Sequence, residues 1–263
     1  MTARLILGIC LAALVLRGAE ARALRVCADP NNLPFSNDRE EGFENAIAAL
    51  VAADLDATAT YVWWAQRRGF ARNTLTAGTC DVWPGVATDV DSMTTTRPYY
   101  RSTYVFVSRK EDGLGVSSFD DPRLRSLPVG VQMIGNDATN TPPAQALARR
   151  GITGNVRGFM LYGDYRRDSP PSAIIDAVGR KDIAVAIAWG PLAGYFAARA
   201  PLPLVLAATP AADGPAPMAF SISMGVRKGD TALRDELDAA LGRNRAQIGV
   251  ILDRFHVPRV TPE

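Results

Sequence analysis

The chain has 263 residues, 48% of them apolar, with 29 Lys and Arg against 27 Asp and Glu, three cysteines and a single histidine, His256. A charged fraction of 21% with balanced signs is too apolar for a disordered chain and too neutral for a protein that lives by gripping phosphate backbones. One histidine leaves no His-rich zinc site, and a Ser-His-Asp triad would hang on His256 in FHVPRV with no nucleophile-elbow motif elsewhere.

Residues 1–23 are expected to be an export signal outside the fold. MTAR carries one positive charge, LILGICLAALVL is an apolar run of twelve, and RGAEARA offers small-x-small cleavage sites ending at Ala21 and Ala23. The run is shorter than the ~20 residues of a spanning helix. A lipoprotein signal wants a small residue before its cysteine, and Ile9 precedes Cys10. The segment holds Arg4, Arg17 and Arg22 against Glu20, so cleavage after Ala23 leaves 26 basic and 26 acidic residues and no net charge. Two cysteines, Cys27 and Cys80, then remain in a compartment that oxidises thiols. If the strands beside them are neighbours, a disulfide closes a loop of about fifty residues and contributes roughly 3–4 kcal/mol. Otherwise they are two buried thiols.

From there the elements alternate. Leu24 to Ala28 reads as a strand, DPNNLPFSND as a polar loop, and Gly42 to Leu55 as a helix, with apolar residues at 43, 46, 47, 50, 51 and 55. Thr58 to Trp64 is β-branched and aromatic, a strand. A helix in WAQRRGFARNTL, a turn at Gly78, a strand in CDVWPGV and a strand from Tyr99 to Val107 follow. A second series opens with a strand at Leu127 to Met133 and a loop, IGNDATN, whose Asp137 weakens any reading as an anion cradle. Proline at a first helical position starts a helix at Pro142 that stops at Gly151. Helices at Ser172 to Gly179 and Pro191 to Arg199 flank a buried strand at Asp182 to Ala188. A strand at Leu202 to Ala207, a linker ATPAADGPAPM and a strand at Ala219 to Val226 lead to an amphipathic segment, Thr231 to Phe255, broken near Gly242 or Gly249. Strands alternating with helices predict mostly parallel sheets covered on both faces. Two such series predict two lobes.

The strand LRVCAD, the helix GFENAIAALVAADL, CDVWPGV, RPYYRSTYVFVSRK and FSISMGVRKGDTALRDELDAAL together resemble type II periplasmic solute-binding proteins over the whole mature chain. Closer still, LRVCADPNNLPFSN, EGFEN, QRRGF-x-RNTL and TTTRPYYRSTYVFV are similar to the J-type proteins of methanol-oxidation operons (MxaJ and XoxJ), which accompany quinoprotein alcohol dehydrogenases. The resemblance implies an α/β fold of two lobes with a two-segment hinge. Residues 24–108 and 218–263 would make lobe 1 and residues 109–217 lobe 2, with crossings near Val107 to Lys110 and Thr209 to Pro217.

Departures from the amino-acid receptors of that family are informative. The position of the arginine that forks onto a ligand carboxylate falls near Ser92, and the aspartate that receives an α-ammonium is replaced by Trp189. A desolvated charge without its partner costs several kcal/mol, so an amino-acid ligand is not expected. The candidate cleft or partner-binding residues are then aromatic, basic and amide: Asp29, Asn31, Asn32 and Phe35; Trp63, Trp64, Arg67 and Arg68; Trp83; Arg97, Tyr99, Tyr100 and Arg101; and Trp189. Trp, Tyr and Arg are enriched at protein interfaces, although most tryptophans fill cores. No carboxylate pair or nucleophile-base arrangement carries a reaction class, and no metal or cofactor motif is present. The resemblance implies a monomeric, non-catalytic periplasmic protein that assists maturation or activation of a PQQ-dependent methanol or alcohol dehydrogenase, in company with its c-type cytochrome. The alternative is a solute receptor of an ABC transporter for a small ligand that is not an amino acid.

Overall fold

The computed structural model describes residues 22–133, 140–160, 165–166 and 168–261. Most of the expected export signal and residues 134–139 of the IGNDATN loop lie outside the described residues. Nine principal strands are present: β1 (Arg22–Ala28), β2 (Ala57–Trp63), β3 (Val82–Ala87), β4 (Tyr100–Arg109), β5 (Val129–Met133), β6 (Val156–Met160), β7 (Val185–Trp189), β8 (Leu204–Ala208) and β9 (Ala219–Val226). The α-helices are α1 (Phe43–Asp54), α2 (Phe70–Asn73), α3 (Pro142–Arg149), α4 (Ala173–Gly179), α5 (Gly190–Ala197), α6 (Thr231–Arg243) and α7 (Arg245–Arg254).

The strands join in one curled sheet in the order β2-β1-β3-β9-β4-β7-β5-β6, with β8 also on β4. Parallel pairing is confined to its two ends, β2-β1-β3 and β7-β5-β6, and the middle is antiparallel. The long strand β4 belongs to both halves: Tyr100 to Thr103 pair with β9, and Tyr104 to Ser108 pair with β7. The chain returns through Thr209 to Met218 between β8 and β9. The ladder therefore changes partner between Thr103 and Tyr104, which is where the two lobes meet.

Each lobe buries its own core. Phe43, Ile47, Val51 and Leu237 lie in the first, and Phe119, Leu124, Val131 and Ile187 in the second. The sequence GFEN builds the start of α1 residue by residue. Gly42 is required because a Cβ there would lie 2.0 Å from the Phe35 carbonyl oxygen. Phe43 is fully buried, and the Asn45 side chain accepts from the Gly42 amide at 3.1 Å and the Asn37 amide at 3.3 Å. The α6–α7 break falls at Asn244, whose buried side chain donates to the Ala240 carbonyl at 2.9 Å. β6 has no counterpart in the sequence-based reading: VRGFM carries a glycine, and its largely exposed edge position supplies little apolar patterning.

Cys27 and Cys80 are bonded, with Cα atoms 5.4 Å apart and both residues fully buried. Their strands are neighbours through Val26 and Val82. Intact mass should rise by about 2 Da on reduction. The double variant Cys27→Ser/Cys80→Ser should lose about 2–4 kcal/mol in urea unfolding. An unchanged mass would show the thiols to be free.

Candidate functional site

Among the described residues three contacts between the lobes stand out, and the first involves the loop after β1. Asp29 is 1% exposed, and its carboxylate accepts from the Asn31 amide at 2.8 Å, the Gln66 amide at 2.6 Å and the Tyr165 hydroxyl. Tyr165 follows β6 in the second lobe, so the third bond crosses between lobes. Arg67 lies with its guanidinium 5.1 Å from the Tyr165 ring centre, a cation–π arrangement that covers the same contact. Burial and the hydrogen bond to Asp29 hold the Tyr165 phenol above its ordinary titration range. Asn32 donates to Gln66 at 3.0 Å and fixes the loop that carries Arg67.

A seam of rings makes the second contact. Phe35 packs against the first core and against the α4–α5 core of the second lobe. Trp189 and Phe220, with ring centres 5.9 Å apart, pack against both the first core and the β5–β7 core. Tyr104 meets Trp189 edge-on at 5.3 Å. The Trp189 amide donates to the buried Gln132 side chain at 2.7 Å, which fixes the end of β7.

The third contact lies behind the seam. A Cβ at Gly190 would fall 2.5 Å from the Thr103 carbonyl oxygen, and one at Gly194 would fall 2.0 Å from that of His256. The glycine face of α5 thus lets the chain after α7 lie directly on it, and Tyr195 stacks on Phe255 at 5.6 Å. His256 itself is exposed, in the left-handed conformation that ends α7.

Beneath the first-lobe side of the seam lies Glu44, 8% exposed, with its carboxyl against Gly85. Burial pushes its pKa up to about 8. The neighbouring Tyr99 and Tyr100 phenols are pushed up by burial as well. At neutral pH the Glu44 carboxyl is mostly protonated.

The structure brings Asp29, Asn31, Asn32 and Arg67 together at the first contact, and places Phe35 and Trp189 in the seam. Trp63 stacks on Tyr61 at 4.7 Å, while Trp64 is 48% exposed and Arg68 is exposed on the loop that follows. Trp83 packs on Phe70 in the small cluster around the disulfide. Arg97, Tyr99, Tyr100 and Arg101 lie elsewhere, along the entry to β4. Tyr99 donates to the Pro84 carbonyl at 2.9 Å, Tyr100 packs edge-on to Phe43, and Arg101 donates to Ser221 at 3.3 Å. Ser92 sits exposed in a turn. Among the described residues no group of His, Cys, Asp or Glu converges to hold a metal ion.

Sequence patterns do not single out Tyr165, which carries no motif in LYGDYRRD, or Glu44, which lies within the EGFEN unit. The spacing of Gly190 and Gly194 in GPLAG was the available signal for a close backbone approach.

A model of the family described as bacterial extracellular solute-binding proteins, family 3, matches residues 24–255. Protein MoxJ of Methylorubrum extorquens (strain AM1) is 31% identical over 249 residues, covering 91% of this chain and 82% of that one. The crystal structure of periplasmic binding protein XoxJ from Methylobacterium extorquens AM1 is 33% identical with a TM-score of 0.75, covering 91% of this chain and 100% of that chain. The crystal structure of MxaJ from Methlophaga aminisulfidivorans MPT is 24% identical with a TM-score of 0.77, covering 90% and 100%, a likeness of fold.

Two outcomes follow from this geometry. Between roughly pH 5 and pH 8 the folded protein retains the Glu44 proton that the unfolded chain has released, so stability should fall by about 1.4 kcal/mol per pH unit from this group. Glu44→Gln should flatten that slope in urea unfolding measured across the range, and an unchanged slope would show the carboxyl to be ionised in the fold. Tyr165→Phe removes a donor from a buried carboxylate and should cost about 1.5–3 kcal/mol. Faster amide exchange at Asn31 and Gln66 should accompany it, and unchanged protection there would show the lobes to be held without this bond.

Proposed function

The chain belongs to the bacterial extracellular solute-binding proteins of family 3, and from that premise we propose that it is a periplasmic, non-catalytic accessory protein of methanol oxidation. In this reading it contacts a PQQ-dependent methanol or alcohol dehydrogenase and assists its maturation or activation, using the two-lobed fold as an interaction module. The likeness to MoxJ and XoxJ supports the association with methanol oxidation. Residues 24–108 with 218–263 and residues 109–217 are the proposed lobes, although the change of partner along β4 moves the first crossing to Thr103 and Tyr104, a few residues before that division. The candidate partner surface is the aromatic and basic set named above.

One observation supports the reading: Trp189, which the family resemblance puts at the position of an amino-acid receptor's ammonium-binding aspartate, is packed against the cores of both lobes. A ligand ammonium placed there would meet indole and phenyl rings in place of a carboxylate. Asp29, the nearest carboxylate on the first loop, is already committed to three protein donors. Family membership favours a second reading, a receptor that delivers a small uncharged or weakly charged solute to an ABC transporter.

The two separate in one pair of measurements. Titrating the mature protein into a calcium- or lanthanide-dependent methanol dehydrogenase should give a complex by pull-down and a change in dehydrogenase activity. No complex, together with a thermal shift produced by a small metabolite, would establish the receptor reading instead. Calorimetry with free α-amino acids should show no tight binding, and tight binding of any of them would overturn the assignment of Ser92 and Trp189.

A further inference from the structure

The entry to β4 forms one wall of a groove whose other wall is the α6–α7 junction. One end, about 200 Å³, is bounded by Arg97, Asp238, Leu241 and Arg245, and the other, about 330 Å³, by Arg101, Arg245, Leu252 and Arg259. Tyr99 and Arg245 belong to both, so the two ends are continuous.

Three observations at this groove point the same way. First, the whole chain is close to neutral, yet four arginines line the groove and Asp238 is its one acidic side chain. The Arg97 amide donates to Asp238 at 2.7 Å, but its guanidinium lies 3.7 Å from that carboxylate with the side chain 78% exposed, and Arg259 pairs with Asp253. Arg101 has Ser221 as its partner, and Arg245 is exposed with no acidic partner among the described residues. Second, the lining between the arginines is apolar: Leu241, Ile248, Leu252 and the Tyr99 ring. Third, both helices carry a glycine at the groove without any close contact that demands one. A Cβ at Gly242 would meet nothing within 4 Å, and one at Gly249 would meet only the Arg259 guanidinium at 3.6 Å. Helix interiors disfavour glycine, and here its effect is to leave the groove open.

We propose that this groove docks an acidic segment of a protein partner, with one large apolar side chain seated against Leu241 and Ile248 and flanking carboxylates held by Arg97, Arg101 and Arg245. Guanidinium forks match carboxylates in geometry, and the desolvated apolar floor gives the contact its anchor. The proposal deepens the reading of this protein as an interaction module and rests on it for the class of partner.

The test uses the full mature chain and a fluorescein-labelled peptide of alternating Asp and Glu around a central Leu, read by anisotropy, beside its Asn/Gln counterpart. The acidic peptide should bind at least tenfold more tightly than the amide one and weaken several-fold between about 50 and about 200 mM salt. Arg245→Glu and the double variant Arg97→Glu/Arg101→Glu should each lose at least tenfold. Gly242→Phe, which fills open space, should lose as much with its thermal midpoint intact, so the proposal stays falsifiable if a charge variant misfolds. Arg180→Glu, on the exposed end of α4 away from the groove, should bind as the unsubstituted protein does. Equal binding of the amide peptide, full affinity in folded groove variants, or loss confined to Arg180→Glu would overturn it. So would sedimentation with phosphatidylglycerol vesicles that Arg245→Glu abolishes while no peptide binds. Peptide binding without any dehydrogenase complex would leave the groove standing and overturn the accessory reading; a dehydrogenase complex indifferent to Arg245→Glu would overturn the groove's part in it.

Discussion

The ring seam of Phe35, Trp189 and Phe220 is the contact on which the relation between the lobes depends. Each ring belongs to the cores of both lobes, so the two cores are continuous through it. The sheet imposes this arrangement. β4 pairs with β9 in one half and β7 in the other, and the change of partner at Thr103 and Tyr104 brings the end of β7, and so Trp189, to the junction. Gln132 then fixes the strand end through the Trp189 amide, and the buried Asp29 carboxylate holds the opposite rim through Tyr165. Aromatic carbon and hydrogen bonds internal to the protein thus line the junction between the lobes.

Behind the seam, the geometry depends on residues without side chains. Gly190 and Gly194 let α5 approach the backbone at Thr103 and His256 more closely than any Cβ allows. Tyr195 and Phe255 add a stacked pair to the same contact. The carboxyl-terminal stretch therefore ties the second lobe to the first from the rear, while β4 and the Thr209–Met218 return connect them covalently. Any account of movement between the lobes has to break packing on both sides of the hinge, beyond turning two backbone segments.

Much of this was legible in the sequence, and the parts that were not have identifiable causes. Strands rich in β-branched and aromatic residues, such as β2, and helices with a clear apolar stripe, such as α1, fall where the pattern puts them. The parallel ends of the sheet follow from strand-helix alternation, but the antiparallel middle does not, because β9 returns from the far end of the chain and no local pattern encodes its neighbours. β6 is hidden by its glycine and its exposed edge. The α6–α7 break was expected near Gly242 or Gly249 and falls at Asn244, two residues after Gly242, where the asparagine side chain bonds its own helix. Of the cleft candidates, those on the first loop could be read from polarity and position. Tyr165 could not, since its role is to meet Asp29 from another lobe, and contact between residues so far apart in the chain leaves no trace in spacing.

The magnitude of the seam bears directly on what a fold of this kind can do. A receptor that exchanges solute must populate an open state, and opening here would expose aromatic surface. An aromatic side chain buries about 150–250 Å², so losing half of one on opening costs about 2.5 kcal/mol at ~25 cal/mol per Å². Two such losses come to about 5 kcal/mol, close to the ~5.5 kcal/mol that separates a 1:99 population from 99:1. The buried Asp29–Tyr165 bond adds to the same side of the balance. A solute that enters only through an open state meets that small population alone, and the cost of opening is subtracted from its apparent affinity. A protein partner that recognises the outer surface needs no such change. The packing between the lobes thus resists their separation, and a partner bound on the proposed surfaces, the loop bearing Trp64, Arg67 and Arg68 or the arginine groove beside α7, would leave it intact.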